Sequence, residues 1–187
     1  MRNSFAEIFP QVELHFADAH RGKGAVVREA WSLAPEAAWL AFVDADGSVT
    51  ADEMLGLIDA AVSSGTSVLG IRKRTATTRV EESLWRGFFH RGFLVTVRIL
   101  LGLRCQDPQC GSKVINGDAY RRVAGELREN GRAFDSELLA HLRKDGTGWA
   151  EIPVNWVEKS GGTVKPLRDC WSMLVALLRI RRALREK

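Results

Sequence analysis

Two aspartates that are close in sequence follow an apolar run near the start of the chain. Asp44 and Asp46 lie within AFVDADGSVT (41–50). Two carboxylates separated by one small residue can present oxygens to a hard divalent cation such as Mg²⁺ or Mn²⁺, which in turn can hold a diphosphate. The same segment also fits a plain turn, since Asp-Gly favours a turn and Thr50 with Glu53 forms a capping box for a following helix. By itself, the pattern leaves a metal site and a capped turn open.

Basic residues follow two other apolar runs. HRGKG (20–24) opens a predicted helix, where Arg21, Lys23 and backbone amides could meet an anion. Its spacing is that of neither a P-loop nor a GxGxxG motif, so two glycines in a strand-to-helix turn explain it equally well. GIRKR (70–74) places Arg72 and its basic neighbours after a second apolar run, as either a solvated face or a phosphate site.

Two later segments combine acidic residues with turn or helix-start signals. DPQCGSK (107–113) joins an acid, a proline turn, a glycine and a lysine, and alone it fits a loop before the next strand or helix. FDSE (134–137) begins a predicted helix, where Asp135 or Ser136 would most simply cap the amino end. A general base at Asp135 is the alternative interpretation.

Short apolar runs alternate with amphipathic stretches along the chain. The predicted strands are 12–16, 39–43, 67–71 and 150–157. The predicted helices are 24–33, 51–64, 83–103, 118–130, 135–146 and 169–186. This alternation predicts an α/β fold with a mostly parallel sheet flanked by helices. Ligands of such sheets bind outside the carboxyl ends of the strands, which is where Asp44 and Asp46 are expected.

The composition limits the class of protein. With 187 residues, of which 45% are apolar, the chain can bury a core and is predicted to form one domain over 1–187, with its main part at about 12–165. Three cysteines do not suggest a disulfide framework, which predicts reduced thiols in a cytoplasmic setting. The sequence shows neither a signal-peptide pattern nor a run of about 18 apolar residues.

The charge is unevenly distributed. A net charge of +4 and a pI near 9.2 make anionic partners plausible. The predicted helix 169–186 is basic and amphipathic, with Trp171, Leu178 and Ile180 toward one side. A nucleic-acid binder is disfavoured, because the sequence has no recognisable binding module and no stripe of aromatics interleaved with cations.

Taken in order, six segments resemble one known family. They are RGKGAVVREAW, AFVDADGS, GIRKR, DPQCGSKVI, RAFDSELL and AEIPVNWVEKSGG. They are similar to motifs of the family-2 glycosyltransferases of the polyprenyl-phosphate sugar synthase type, which make dolichyl-phosphate glucose or mannose. The resemblance extends over nearly the whole chain from about residue 12, and it implies a GT-A (nucleotide-diphospho-sugar transferase) fold.

The resemblance assigns the donor side of the site. It makes Asp44 and Asp46 the metal-binding Asp-x-Asp that holds the nucleotide diphosphate through Mg²⁺ or Mn²⁺. It places Arg21, Lys23 and Gly24 in the segment that lines the nucleotide pocket. The implied donor is a nucleotide sugar, UDP-glucose or GDP-mannose.

The acceptor side is assigned in the same way. Arg72 would hold the acceptor phosphate, with Arg86 and Lys165 as helpers. Asp107, Gln109, Cys110 and Gly111 match an acceptor-side Asp-x-Gln-Cys-Gly loop, and Asp135 and Glu137 match an acidic pair near the sugar. The residues with catalytic roles are therefore expected to be Asp46, Arg72 and Asp135.

The implied reaction is the inverting transfer of a hexose to a polyprenyl phosphate. The acceptor is already anionic at neutral pH, so its oxygen needs no strong protein base, and Asp135 would orient the sugar or the arginines. A sugar hydroxyl as acceptor would need a base, for which Asp135 is the candidate. Because the acceptor is a lipid, helices 83–103 and 169–186 are expected on the anionic inner face of a membrane, and the protein is expected to be peripheral and associated with the cell envelope.

The sequence departs from the family pattern in three places. The two nucleoside-binding motifs that open the family are not in this sequence, which predicts an N-terminally truncated fold. Explanations for this are a miscalled gene start, completion by a partner chain or homo-oligomer, or a degenerate protein. Gly162 and Thr163 stand where the family has Ser and Lys, and His90 replaces a small polar residue. The alternative function is an inactive GT-A remnant that acts as a membrane-associated binding or interaction module.

Overall fold

The computed structural model describes residues 19–81, 84–158 and 166–186, with the side chains at 84–86, 88–89 and 166–169 excepted. The predicted strand 12–16 and Lys165 lie outside these residues. The strands are β1 (Trp39–Val43), β2 (Ser67–Ile71), β3 (Val80–Glu81), β4 (Ser112–Asn116), β5 (Trp149–Pro153) and β6 (Trp156–Val157). The helices are α1 (Lys23–Ser32), α2 (Ala51–Ser64), α3 (Leu84–Leu101), α4 (Gly117–Ala124), α5 (Phe134–Lys144) and α6 (Pro166–Arg185).

The main sheet has the strand order β1-β4-β2-β5. Strands β1 and β2 both pair antiparallel with β4, while β2 and β5 pair in parallel. Three of the four strands therefore run in one direction, as predicted. Strand β4 was not predicted, because its sequence SKVIN contains only two apolar residues and resembles the end of a loop.

Two predicted elements differ from the observed ones. The helix predicted at 118–130 ends at Ala124, and the following residues form a loop. The strand predicted at 150–157 is two strands, β5 and β6, and β6 pairs with β3 in a separate two-stranded sheet. The break lies at Asn155, whose side chain accepts a hydrogen bond from the Arg79 amide at 2.8 Å and so links the two sheets.

Local signals explain the helix that follows the paired aspartates. The Thr50 side chain accepts a hydrogen bond from the Glu53 amide at 3.3 Å, which satisfies an unpaired donor at the start of α2. Gly65 ends the helix in the left-handed conformation, with φ of 67°. The predicted bounds of 51–64 and the Thr50 cap are confirmed, whereas the Glu53 side chain, the other half of the predicted capping box, accepts a hydrogen bond from Asn155 Nδ2 at 2.5 Å.

Both faces of the sheet are covered by apolar side chains. Leu69 and Ile115 belong to the larger core cluster, which also contains Phe134. Their neighbours Val68 and Val114 face the opposite side and pack with residues of α2. This alternation follows from the two-residue period of a strand, and it explains why every residue of β2 is buried.

Candidate functional site

The antiparallel strand β4 brings distant segments to one edge of the sheet. Val43 at the end of β1 pairs with Ser112 at the start of β4, and the Asp44 amide donates to the Gly111 carbonyl at 2.7 Å. Because β2 also ends at this edge, Arg72 lies beside the same loop. The segments around 44, 72 and 107–111 therefore meet. The position of the first segment, at the carboxyl end of a strand, is the predicted one.

A small cavity of about 50 Å³ lies where these segments meet. Its lining is mostly polar and contains both aspartates, Arg72 and part of the 107–113 loop. The lining residues are Asp44, Asp46, Ser48, Val49, Arg72, Gln109, Gly111 and Trp156. One cavity thus joins the predicted donor and acceptor sides.

The paired aspartates are accessible at the mouth of this cavity. The side chain of Asp44 is 43% exposed, and Asp46 is exposed while its Oδ1 accepts from the Ser48 amide at 2.9 Å. Gly111 lies against Asp44, because a Cβ at this position would overlap the Asp44 carboxylate. The sheet edge is therefore shaped around that carboxylate.

These carboxylates suit a hard divalent cation. Mg²⁺ and Mn²⁺ prefer oxygen ligands, and Mg²⁺ commonly takes one or two carboxylates together with substrate phosphates and water. No group of three or more His, Cys, Asp or Glu side chains within residues 19–81, 84–158 and 166–186 could hold a metal by itself. Asp44 and Asp46 thus fit a shared site, in which the ligand supplies further oxygens.

Behind Asp44 lies a chain of alternating charges. The Lys23 ammonium lies 3.0 Å from Asp44 Oδ1 and 3.0 Å from Asp135 Oδ2. The other Asp135 oxygen accepts from the Lys113 ammonium at 2.8 Å. Asp135 and Lys113 are buried, with side chains 3% and 0% exposed. Their charges are mutually compensated, which is the condition for keeping ionised groups in a protein interior.

The two ammonium groups also contact an aromatic ring. The Nζ atoms of Lys23 and Lys113 lie 4.6 Å and 5.3 Å from the centroid of Phe42, a distance at which the ring face attracts a cation. Burial lowers the pKa of Lys23, but the charges of Asp135 and Asp44 outweigh burial and raise the pKa above 10.5. Lys23 is therefore a cation at neutral pH.

Arg72 is held by a buried carboxylate. Its Nε and one terminal nitrogen donate to the two oxygens of Asp107 at 2.6 Å and 2.8 Å, and its backbone amide donates to the same carboxylate at 3.0 Å. Burial raises the pKa of Asp107, but the hydrogen bonds and charge of Arg72 and the charge of His90 together lower it below 3.8. Asp107 is thus an anion at neutral pH, and it orients the Arg72 guanidinium.

Two further side chains surround Arg72. His90 Nδ1 lies 3.2 Å from a terminal nitrogen of Arg72, and its Nε2 lies 3.7 Å from Asp107. The Trp156 ring centroid is 5.3 Å from the guanidinium carbon. The departure from the family pattern at His90 therefore falls in direct contact with the predicted phosphate-binding arginine.

Three of the predicted site residues have other partners. Glu137 is 2% exposed and accepts from the backbone amides of Arg128 and Glu129, both at 2.9 Å. Arg21 forms an ion pair with Glu29. Gly24 packs against α5, because a Cβ there would overlap the Glu129 carbonyl and Phe134. These contacts fit a structural role, and none of the three residues lines the cavity.

The remaining predicted site residues either belong to the 107–113 loop or lie outside the described residues. Gln109 lines the cavity, as expected for an acceptor-side loop. Cys110 is buried, and burial together with the charge of Asp107 raises the pKa of its thiol, which disfavours the reactive thiolate. The side chain of Arg86 and the whole of Lys165 lie outside the described residues, so their roles stay predictions.

Lys113 and Trp156 contact site residues but were not among the predicted ones. Lys113 was noted only as part of a loop, although it is fully buried on the central strand β4. Its position after Cys110-Gly111 was a weak signal, because a single lysine in a short segment is usually exposed. Trp156 lay in a predicted strand, but its contact with Arg72 depends on the break between β5 and β6.

Apolar side chains are exposed on α3 and α6, which pack against each other. Ile99 and Trp171 are 70% and 69% exposed, and Leu178 is 48% exposed. Ile180 was predicted on the same side as Trp171 and Leu178, but it faces the core because α6 buries its Ala176–Leu177–Ile180 side. None of the helices in the described ranges is long and apolar enough to span a bilayer.

The chain is similar in sequence to known glycosyltransferases. No family model matches the chain. The chain is 29% identical over 168 residues to a dolichyl-phosphate beta-glucosyltransferase of Dictyostelium discoideum, covering 87% of this chain and 51% of the relative. It is 26% identical over 170 residues to glycosyltransferase AglD of Haloferax volcanii, covering 90% of this chain and 27% of the relative. The chain therefore spans about half or less of the length of these relatives.

One relative has a higher sequence identity over a shorter segment. The dolichyl-phosphate beta-glucosyltransferase of Mus musculus is 34% identical over 94 residues, which is 50% of this chain and 28% of the relative. Among solved structures, glucosyl-3-phosphoglycerate synthase of Mycobacterium tuberculosis, in complex with Mn²⁺, UDP-glucose and phosphoglyceric acid, aligns with a TM-score of 0.53. The alignment has 16% identity and covers 94% of this chain and 58% of that one. Together these matches show that the chain is similar in sequence to dolichyl-phosphate beta-glucosyltransferases and has a GT-A fold, in agreement with the resemblance of its six motifs.

Proposed function

We propose that the chain is part of a hexosyltransferase that moves a sugar from a nucleotide sugar to a polyprenyl phosphate. One observation carries this proposal, namely that Asp44, Asp46 and Arg72 line a single cavity. Accessible carboxylates suit a metal diphosphate, and a guanidinium suits a phosphate. The names of the relatives, dolichyl-phosphate beta-glucosyltransferases, support a polyprenyl phosphate as acceptor and a hexose as the transferred sugar.

In this mechanism Asp44 and Asp46 would hold Mg²⁺ or Mn²⁺, which would stabilise the negative charge of the leaving diphosphate. Arg72, with its plane fixed by Asp107, orients the acceptor phosphate. Attack from the side opposite the diphosphate inverts the anomeric carbon.

The contacts of Asp135 favour an ionised acceptor over a hydroxyl. Both of its oxygens are held by lysines, and the residue is 2% exposed. A general base must reach the proton that it removes, and a carboxylate enclosed in this way does not present a free oxygen to a substrate. A phosphate acceptor needs no such base. Asp135 is therefore an orienting residue that acts through Lys23.

The exposed side of α3 and α6 suits a membrane surface, where a polyprenyl phosphate resides. Apolar side chains such as Ile99 and Trp171 would enter the interface, while arginines such as Arg182 and Arg185 would meet anionic headgroups. We therefore propose that the protein is peripheral at the cytoplasmic face of the membrane.

Titration calorimetry tests the donor site directly. UDP-glucose and GDP-mannose are titrated with and without Mn²⁺, and the Asp46→Asn variant is compared with Asp59→Asn. Both aspartates are exposed, but Asp59 lies in α2 and does not line the cavity. We expect Asp46→Asn to weaken metal-dependent binding by at least about tenfold, while Asp59→Asn does not. Equal binding by both variants would remove Asp46 from the site, and metal-dependent binding without sugar transfer would favour the binding module.

A further inference from the structure

We infer that Lys23 is a positioning residue that occupies the place of a cation beside Asp44 and makes binding of a divalent metal depend on a diphosphate. The inference deepens the proposed function and rests on it, since it concerns the same donor site. This coupling of metal binding to diphosphate binding is a role beyond lining a nucleotide pocket or forming a surface ion pair.

The Lys23 ammonium is held in place by its neighbours. It bridges Asp44 and Asp135 at 3.0 Å each, and its side chain is only 21% exposed. Asp135 is itself immobilised by Lys113, which also donates to the Cys110 carbonyl. Lys23 also starts α1, whose next residue, Gly24, is packed tightly against Phe134 of α5. The ammonium is therefore fixed beside Asp44, which lines the cavity.

Lys23 should oppose a metal ion that arrives alone. A divalent cation bound by Asp44 would compete with Lys23 for the Oδ1 oxygen or share it. Like charges repel, and the described residues contain no group of three or more His, Cys, Asp or Glu side chains that could hold the ion by itself. Across about 5 Å in a water-like dielectric, this repulsion corresponds to roughly a tenfold loss of affinity.

Lys23 should favour a metal ion that arrives with a diphosphate. Phosphates bound with the metal would bring negative charge near Lys23, and the effect of the Lys23 charge would then change from repulsive to attractive. Lysine is a common phosphate-binding residue and acts as a compact point charge. The same ammonium that opposes the bare metal therefore favours the metal diphosphate.

Substitution of Lys23 should leave the fold intact. Asp135 keeps its buried partner Lys113 when Lys23 is removed. Asp44 is 43% exposed and remains solvated. Lys23→Met keeps the length of the side chain and its contact with Phe42 without the charge. Lys23→Gln keeps a polar end group in the same place and is a second neutral variant.

Mn²⁺ binding measured by electron paramagnetic resonance tests the inference, with and without UDP. We expect the wild type to bind Mn²⁺ weakly alone and at least about tenfold more tightly with UDP. Lys23→Met and Lys23→Gln should each raise the affinity for Mn²⁺ alone by about tenfold and lose most of the gain from UDP. Lys23→Arg, which keeps the charge, should resemble the wild type. Lys144→Met removes the same charge from the exposed end of α5 and is the matched control.

Two results would overturn the inference, and they are distinguishable. If the wild type gains Mn²⁺ affinity from UDP and the neutral variants gain just as much, Lys23 has no coupling role while the donor site stands. If the wild type binds no Mn²⁺ even with UDP, the donor site itself is absent, and the proposed function fails with the inference. Circular dichroism of each variant separates loss of coupling from loss of fold.

Discussion

The ion pair between Arg72 and Asp107 should be among the most important polar contacts for stability. Asp107 is 1% exposed, and three nitrogen donors of Arg72 reach its carboxylate. Asp107→Asn removes the negative charge that the Arg72 guanidinium, 9% exposed, contacts in the folded protein. Breaking a buried pair on one side costs about 3–5 kcal/mol. For a domain of this size, each kcal/mol lowers Tm by about 2–4 °C, so we expect a fall of about 6–20 °C.

Asp118→Asn is the matched control. It breaks another Asp–Arg contact, with Arg121, but the Asp118 side chain is 78% exposed. Water and salt screen such a pair, so its Tm should change by no more than about 2 °C. Thermal unfolding followed by circular dichroism measures both variants under the same conditions. If Asp107→Asn shifts Tm no more than Asp118→Asn does, the proposed anchoring of Arg72 is wrong.

The pH dependence provides a second reading of the same pair. The pKa of Asp107 is lowered in the folded state because Arg72 outweighs the opposing effect of burial. The stabilisation is therefore complete above the pKa of the unfolded chain, about 3.9, and is lost as the pH falls through the lower folded value. The stability difference between the wild type and Asp107→Asn should be constant from about pH 5 upward and should shrink below about pH 4. A difference that grows on acidification would contradict the assignment.

Two further predictions concern the metal site and the membrane surface. Gly111→Ala places a methyl group against the Asp44 carboxylate and should weaken Mn²⁺–UDP binding in calorimetry by at least about tenfold. Gly131→Ala, where an added Cβ meets nothing within 4 Å, should bind as the wild type does, and equal binding by the two variants would reject the close contact. In liposome flotation, the wild type should associate with vesicles containing phosphatidylserine, and the pair Ile99→Glu and Trp171→Glu should abolish most of this association. Leu55→Glu and Val62→Glu, at exposed positions of α2, should not reduce this association. If the wild type does not float with the vesicles, the proposed membrane surface is excluded.

The parts of the fold that depend on local signals could be predicted from the sequence. Helix α2 has the predicted bounds, because a capping threonine and a left-handed glycine lie next to its ends. The strand before Asp44 was predicted from five consecutive residues of mainly apolar character. Such signals involve neighbours in the chain, so one sequence is sufficient to detect them.

The parts of the site that depend on register could not be predicted. The sequence placed Arg72 and Asp107 in separate acceptor motifs, but their pairing follows from strand β4, which was not predicted. Lys113 is hidden for the same reason, since its counterion comes from a helix 22 positions further along the chain. Resemblance to a family assigned roles to residues one at a time, whereas the network consists of contacts between them.

The central position of β4 bears on how the chain folds. Its partners β1 and β2 end at residues 43 and 71, and β4 begins only at Ser112, so the sheet closes through contacts distant in sequence. Such contacts form slowly, since a long loop must close before they are gained. We expect Asp44 and Asp46 to remain unorganised until β4 has docked, so that the cavity between them and Arg72 forms with the last cooperative step of folding.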